Sequence, residues 1–335
     1  MKKILLVLVG GTICTAFNED GNLSIDKNSG LWLAENFLNS DSLFKDEVQF
    51  ALTENLGILS ENMTVDKWNT IIDTYHKYIK KDNFDGVIFA HGTDTLAFTA
   101  SLFSMLLAGA KIPHFFVSAN APLSLKRSNG NDNFKAAVEC ICKGISPNVY
   151  VTYKNISDKK TYLHLASRIE QCKNYSEDFF SDCAVELENV SDLKALPKCQ
   201  GENILSDKKL KNCILKINPY VGIDYKAFDY SGFKAVLHGT YHSGTAWVDG
   251  VKTVLDNCNC DVYLAPSKLI RGTYETVHAI GDYSVNGNKV NFICGMTEET
   301  LYTKLLIAYS LFEDEKERSD FIKNERNYEY RVPFI

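Results

Sequence analysis

Several things are scarce or missing in this chain of 335 residues, and the absences exclude classes of function. There is no surplus of positive charge. Thirty-six lysines and arginines stand against 42 aspartates and glutamates, for a formal net charge of -6. A nucleic-acid groove needs a basic stripe, so no nucleic acid is expected as a partner and a small molecule is. No apolar stretch approaches the length of about 18 residues that a membrane span requires, so no membrane is expected either. The ten cysteines have no histidine cluster beside them. The pairs Cys140/Cys142 and Cys258/Cys260, with one residue between partners, do not make a zinc site. Scattered thiols in a chain of this size point to a reducing compartment, hence a cytoplasmic protein. Internal repeats, a long low-complexity segment, a P-loop and a Gly-x-Gly-x-x-Gly fingerprint are all missing.

What is present suits a folded enzyme. At 45% hydrophobic and 23% charged residues, the sequence can bury a large core and is long enough for two domains. Its start, Lys2-Lys3 followed by six apolar residues, imitates a secretory signal. It runs without a small-residue cleavage site into Gly10-Gly11-Thr12, so it reads as a buried parallel strand ending in a turn. Further apolar runs at 86–90, 115–118 and 149–153 alternate with helical patterns at 65–79, 95–108 and 133–142, the rhythm of a parallel sheet with crossover helices. Periodicity is lost between about 187 and 212. It resumes with strand patterns at 214–217, 235–237, 262–265 and 291–294 and a helix over 297–312. The charged stretch 313–318 reads as a solvated helix end. The expected fold is therefore α/β, with an N-terminal domain at 1–186 built on a mostly parallel sheet with flanking helices. A linker at 187–212 leads to a smaller Rossmann-like α/β domain at 213–335.

In such sheets ligands bind beyond the carboxyl ends of the strands, and two strand ends carry chemistry. Gly10-Gly11-Thr12-Ile13 offers a hydroxyl on a tight turn. His91-Gly92-Thr93-Asp94-Thr95 places a second hydroxyl and a carboxylate at the start of a helix, where unpaired N–H groups favour an anion. N-capping by Thr93 or Asp94 is the bland explanation of that pattern, and His91 reads as a packed histidine. Together the two strand ends suggest acyl transfer with threonine as the nucleophile.

These two motifs, in this order and at this spacing, resemble the signatures of the bacterial-type L-asparaginase family. The likeness extends to Leu59-Ser60-Glu61-Asn62-Met63-Thr64 with Trp68, to the segment from Ser118 to Pro122 and to the segment from Asn129 to Phe134, so it covers nearly the whole chain. The resemblance implies hydrolysis of asparagine, or a related small amide, to aspartate and ammonia. Thr12 would attack the amide carbon, and Thr93 would polarise the amide from the other side and handle protons. Asp94 would bind the substrate ammonium, with Glu61 near it, and Ser60 would hold the α-carboxylate. N–H groups at Gly11 and at Gly92 or its neighbours would stabilise the oxyanion. No metal or organic cofactor is implied. A homodimer or homotetramer is, with residues 238–245 near a neighbour's site, although packing is the expected role of Tyr241 and His242.

Two departures from the family pattern concern proton transfer. The family's loop tyrosine has no counterpart between Thr12 and Gly30. Asn22 falls at its position, Phe17 is the only aromatic residue there, and Thr15 is a substitute hydroxyl. The lysine that the family pairs with its second threonine is missing from the hairpin at 161–171. His164, Glu170 or Gln171 falls at its position, with Arg168 and Lys173 nearby, and an arginine is a poor proton acceptor. Two alternatives therefore stand beside the hydrolase: a protein that binds or senses a small amino acid, and an ammonia-supplying subunit of a tRNA-linked amidotransferase. The last rests on the likeness of the Leu59–Met63 segment to that branch, and ranks lowest because no docking domain precedes the first strand.

Overall fold

The computed structural model describes residues 1–267 and 274–330. The chain divides into two compact units, Met1–Ser206 and Asp207–Ile335. The first opens with β1 (Lys2–Leu8), in which Ile4 to Leu8 are at most 2% exposed. A continuous apolar run is what a strand covered on both faces of a parallel sheet requires. Each such side chain contributes about 1.5–3 kcal/mol on burial.

A hairpin of β2 (Thr15–Phe17) and β3 (Leu23–Ile25), helix α1 (Ser29–Leu38) and strand β4 (Val48–Leu52) come next. Then follow α2 (Val65–Ile79), β5 (Gly86–Ala90), α3 (Leu96–Leu106), β6 (His114–Val117), α4 (Gly130–Cys142) and β7 (Val149–Lys154). The chain turns back through β8 (Thr161–Leu165) and β9 (Ile169–Glu170), then β10 (Phe180–Ser181) and β11 (Val185–Glu186). The sheet runs β11-β8-β7-β6-β5-β1-β4, parallel from β7 to β4 and antiparallel at β8 and β11.

Helix α2 starts where Thr64 accepts a hydrogen bond from the Lys67 N–H, and buries Trp68, Ile71, Ile72 and Tyr75. Its bounds match the expected helix. Helix α4 begins three residues earlier than expected, at Gly130. Residues 187–206, inside the first unit, carry two short 3-10 turns at Leu187–Asn189 and Leu193–Ala195.

The second unit contains β12 (Ile214–Ile217), β13 (Ala235–His238), α5 (Val248–Asn257), β14 (Asp261–Ser267), α6 (Glu275–Gly281), β15 (Ser284–Val285) and β16 (Asn288–Cys294). Its sheet runs β12-β13-β14-β16-β15, parallel except at β15. Helices α7 (Glu298–Leu311) and α8 (Glu315–Lys323) close it.

The charged stretch 313–318 is a solvated helix end as expected, with residues 313–317 exposed, but the helix is a separate one: Asp314 accepts a hydrogen bond from the Glu317 N–H and so caps α8, whose Phe321 and Ile322 are buried. One expectation is corrected here. Tyr241 and His242 are exposed rather than packed, because hydrogen bonds between Tyr241 and Thr245 and between Gly244 and Tyr241 fold a turn that carries both side chains outward. The packed histidine of that strand end is His238, whose Nε2 lies 2.8 Å from the Tyr225 hydroxyl.

Candidate active site

Strands β1 and β5 are neighbours in the first sheet, so the turns that leave them emerge side by side. Val9 and Gly10 donate backbone hydrogen bonds to the Ala90 carbonyl, and Ile58 donates to Val9. Gly11 adopts φ 75°, where a side chain is strained. A Cβ there would collide with Gly92 Cα and N, and a Cβ on Gly92 would collide with the Ser60 hydroxyl. The glycines thus let three separate segments meet: the first turn, the Ser60–Asn62 turn and the turn after β5.

Around this junction stand the residues singled out by sequence. Thr12 opens a 3-10 turn at Thr12–Cys14 and is half-buried. Its hydroxyl makes no hydrogen bond among the described residues. Ser60, 3% exposed, donates to Asp94 Oδ2 at 3.1 Å and accepts from the Asp94 N–H at 3.2 Å. Thr95 donates its hydroxyl to the Ser60 carbonyl at 3.0 Å. Thr93 is half-buried, Asp94 is exposed, and Gly92 is buried. Glu61 is exposed and makes no hydrogen bond or ion pair among the described residues.

The structure answers several questions the sequence left open. The Gly11 N–H donates to the Ile58 carbonyl at 3.1 Å, so it is already occupied and is not the donor expected of it. Thr95, not Thr93 or Asp94, occupies the N-cap position of α3, and its hydroxyl does not cap the helix. Thr15 donates its hydroxyl to the Thr12 carbonyl at 2.9 Å, a local turn contact. His91 is fully buried with Nδ1 2.7 Å from the Gly92 carbonyl oxygen, and burial pulls its pKa down to about 4. It is the packed histidine expected, held neutral.

The register of the hairpin decides among the three residues at the lysine position. His164 pairs with Val151 across β7, is 1% exposed and meets the Ser181 hydroxyl at 2.9 Å. Glu170 pairs with Phe180. Arg168 is held by Asp182, with Nε 3.1 Å from Oδ1. Gln171 is the one that reaches the turn after β5. Its Nε2 donates to the Thr93 carbonyl at 2.7 Å, and its Oε1 accepts from the Ala97 N–H at 3.2 Å. One side chain thus pins Thr93 and caps the first turn of α3. The sequence placed Gln171 in reach but could not show this fork.

A two-unit α/β fold with threonine hydroxyls at two adjacent strand ends and a serine–aspartate pair between them defines a protein of the amidohydrolase kind. A family model described as "Asparaginase, N-terminal" matches residues 3–204. The chain belongs to the asparaginase family. Among solved structures, the thermostable L-asparaginase from Thermococcus kodakarensis is similar in fold, at 20% identity and TM-score 0.75, covering 98% of this chain and 99% of that one. L-asparaginase I from Vibrio cholerae is also similar, at 20% identity and TM-score 0.72, with 99% of both proteins covered. Among curated sequences, the D subunit of the glutamyl-tRNA(Gln) amidotransferase from Methanococcus maripaludis is 21% identical over 97% of this chain and 80% of its own length. Among the described residues no helix is long and apolar enough to cross a membrane, and no group of three or more His, Cys, Asp or Glu is placed to hold a metal ion.

Proposed function

We propose that this chain is an amidohydrolase that cleaves the side-chain amide of asparagine or a related small amide, with Thr12 as nucleophile. The observation that supports this reading is the junction at which Gly11, the neighbour of Thr12, packs on Gly92, and Gly92 on the Ser60 side chain that is hydrogen-bonded to Asp94. Thr12 Oγ1 attacks the amide carbon, its proton passes by way of the Thr93 side to the amide nitrogen, and the carbon–nitrogen bond breaks to release ammonia and leave the acyl ester. Water then hydrolyses the acyl ester and restores the threonine. Asp94 takes the substrate's α-ammonium. Ser60 turns its hydroxyl hydrogen from Asp94 to the α-carboxylate, and Glu61 adds negative potential near the ammonium. With the Gly11 N–H occupied, the oxyanion falls to the N–H groups of Gly92 and Thr93.

The test is ammonia release from asparagine and glutamine by the wild type and by Thr12→Ala. Release abolished by the substitution supports the hydrolase. Tight binding of asparagine or aspartate by the wild type with no ammonia from any amide would replace it with a binding or sensing protein.

A second reading is favoured by the curated relatives that carry the name of the D subunit of a glutamyl-tRNA(Gln) amidotransferase. In such a complex the same site would supply ammonia to a partner. Strong stimulation of ammonia release by a tRNA-amidating partner would promote it. Self-association as a dimer or tetramer belongs to the first reading, and gel filtration measures it.

A further inference from the structure

The sequence carries two pairs of cysteines with one residue between partners, Cys140/Cys142 and Cys258/Cys260, and the fold treats them differently. Cys140 and Cys142 both lie in α4. Residues two apart on a helix point roughly 200° apart around its axis, so their side chains do not face each other. Cys140 is 3% exposed in the core of the first unit. Burial pushes its thiol up to about 12 and that of Cys142 up to about 11, so neither is a thiolate at neutral pH.

Cys258 and Cys260 stand where α5 stops and β14 begins. Cys258 still donates its N–H to the Val254 carbonyl, but its own backbone is extended, at φ -92° and ψ 138°. A bend at Asn259 and Cys260 follows and brings the second thiol back to the first. The Cys258 thiol donates to the Cys260 carbonyl at 3.5 Å, and a hydrogen bond joins the two side chains. That bond pulls the Cys258 thiol down to about 7 and pushes the Cys260 thiol up. The pair therefore gives up one proton near neutral pH and keeps the other. Cys258 is 7% exposed, Cys260 is half-buried, and Asn257 and Asn259 beside them are exposed. A cavity of about 560 Å³, lined by these two asparagines with Tyr230, Lys226 and Asp229, opens at the turn. Its size suits a small polar molecule.

We propose that Cys258 and Cys260 form a redox modification site, a dithiol that a low-molecular-weight disulfide converts to an intramolecular disulfide. The thiolate of the pair attacks one sulfur of the incoming disulfide and expels one thiol. The other cysteine then attacks the mixed disulfide and expels the second thiol. One sulfur–sulfur bond breaks and one forms, the two protons of the pair leave on the released thiols, and the oxidant takes up the two electrons that the dithiol gives. In reducing surroundings such a bond is transient, which suits a sensing site rather than a structural cross-link. Closure ties the end of α5 to the start of β14. It uses none of the residues assigned to amide cleavage, so it stands or falls apart from that reading.

The experiment treats the native full-length protein with glutathione disulfide at pH 7.5, blocks the remaining thiols with N-ethylmaleimide and weighs the tryptic peptides. Cleavage after Lys252 and Lys268 puts both cysteines of the turn in one peptide, 253–268, and cleavage after Lys135 and Lys143 puts the helical pair in another, 136–143. Peptide 253–268 should lose both labels and two hydrogens at least about tenfold faster than peptide 136–143, because more thiolate is available to it. In urea, where the backbone no longer distinguishes the pairs, the two peptides should close at similar rates. Both labels retained on 253–268, or a lasting glutathione adduct there without closure, overturns the proposal. So does equal closure of the two peptides in the native protein, or a tenfold preference that persists in urea.

Discussion

The two sides of the candidate site are held in place by different means. On the strand-end side Thr12 and Gly92 are positioned by backbone, through glycine packed on glycine and strand ends tied to the Ala90 and Val117 carbonyls, and Asp94 is held locally by the Ser60 hydroxyl. On the hairpin side the contact is one side chain, the forked amide of Gln171. An amide fixes geometry as well as a lysine does, but it neither takes up nor releases a proton in the working pH range. On the proposed reading, substrate positioning and proton transfer are separable, because the side chain that pins Thr93 carries no titrating group.

That contrast can be broken most sharply on the strand-end side. Thr12→Ala should lower kcat for ammonia release at least about 10⁴-fold, the scale for losing a nucleophile, as read in a coupled ammonia assay. If much activity remained, the strand-end side would not be the reacting side.

Both sides also carry a buried histidine held neutral by desolvation, His91 at a pKa of about 4 and His164 at about 3. Both folded-state values lie below the ordinary value of 6.5. Below pH 6.5 the unfolded chain therefore binds protons that the folded chain does not. Stability should be full above that pH and fall as the pH drops towards 4, by up to about 4 kcal/mol for the pair at pH 5. Urea midpoints at pH 7.5 and pH 5 measure it, and equal midpoints would show that neither histidine is buried neutral.

Gln171→Lys restores a titrating group beside Thr93. It should raise kcat up to about 10²-fold, at the lower end of one general acid–base contribution, and add a limb to the pH–rate profile. Gln171→Ala should add no such limb. A profile unmoved by the lysine would show that proton transfer runs elsewhere. The smallest effect is expected for Asp94→Asn, whose carboxylate is exposed. It should raise KM about tenfold with a smaller change in kcat, because uniform binding is lost rather than transition-state binding.

Much of this contrast was legible in the sequence, for reasons that follow chain locality. Strand-end motifs are contiguous, so Gly10-Gly11-Thr12 and His91 to Thr95 announce both their turns and their chemistry. The bounds of α2 and β5 follow from strong periodicity and from a buried apolar run. Helix α1 escaped notice because it leaves Leu31 and Trp32 half-exposed, which blurs its apolar face. Strand β4 escaped because it lies at the sheet edge and is only partly buried. The occupied Gly11 N–H and the choice of Gln171 over His164 depend on partners 47 and 78 residues away. No local pattern encodes such pairings.

The most direct test of Thr12 as the attacking group is chemical. Acid-quenching the protein during turnover of asparagine and mapping its peptides by mass spectrometry should find an aspartyl ester on the peptide that contains Thr12. The ester should be absent in Thr12→Ala. An ester on the peptide containing Thr93, or ammonia release at full rate by Thr12→Ala with no ester at all, would contradict it.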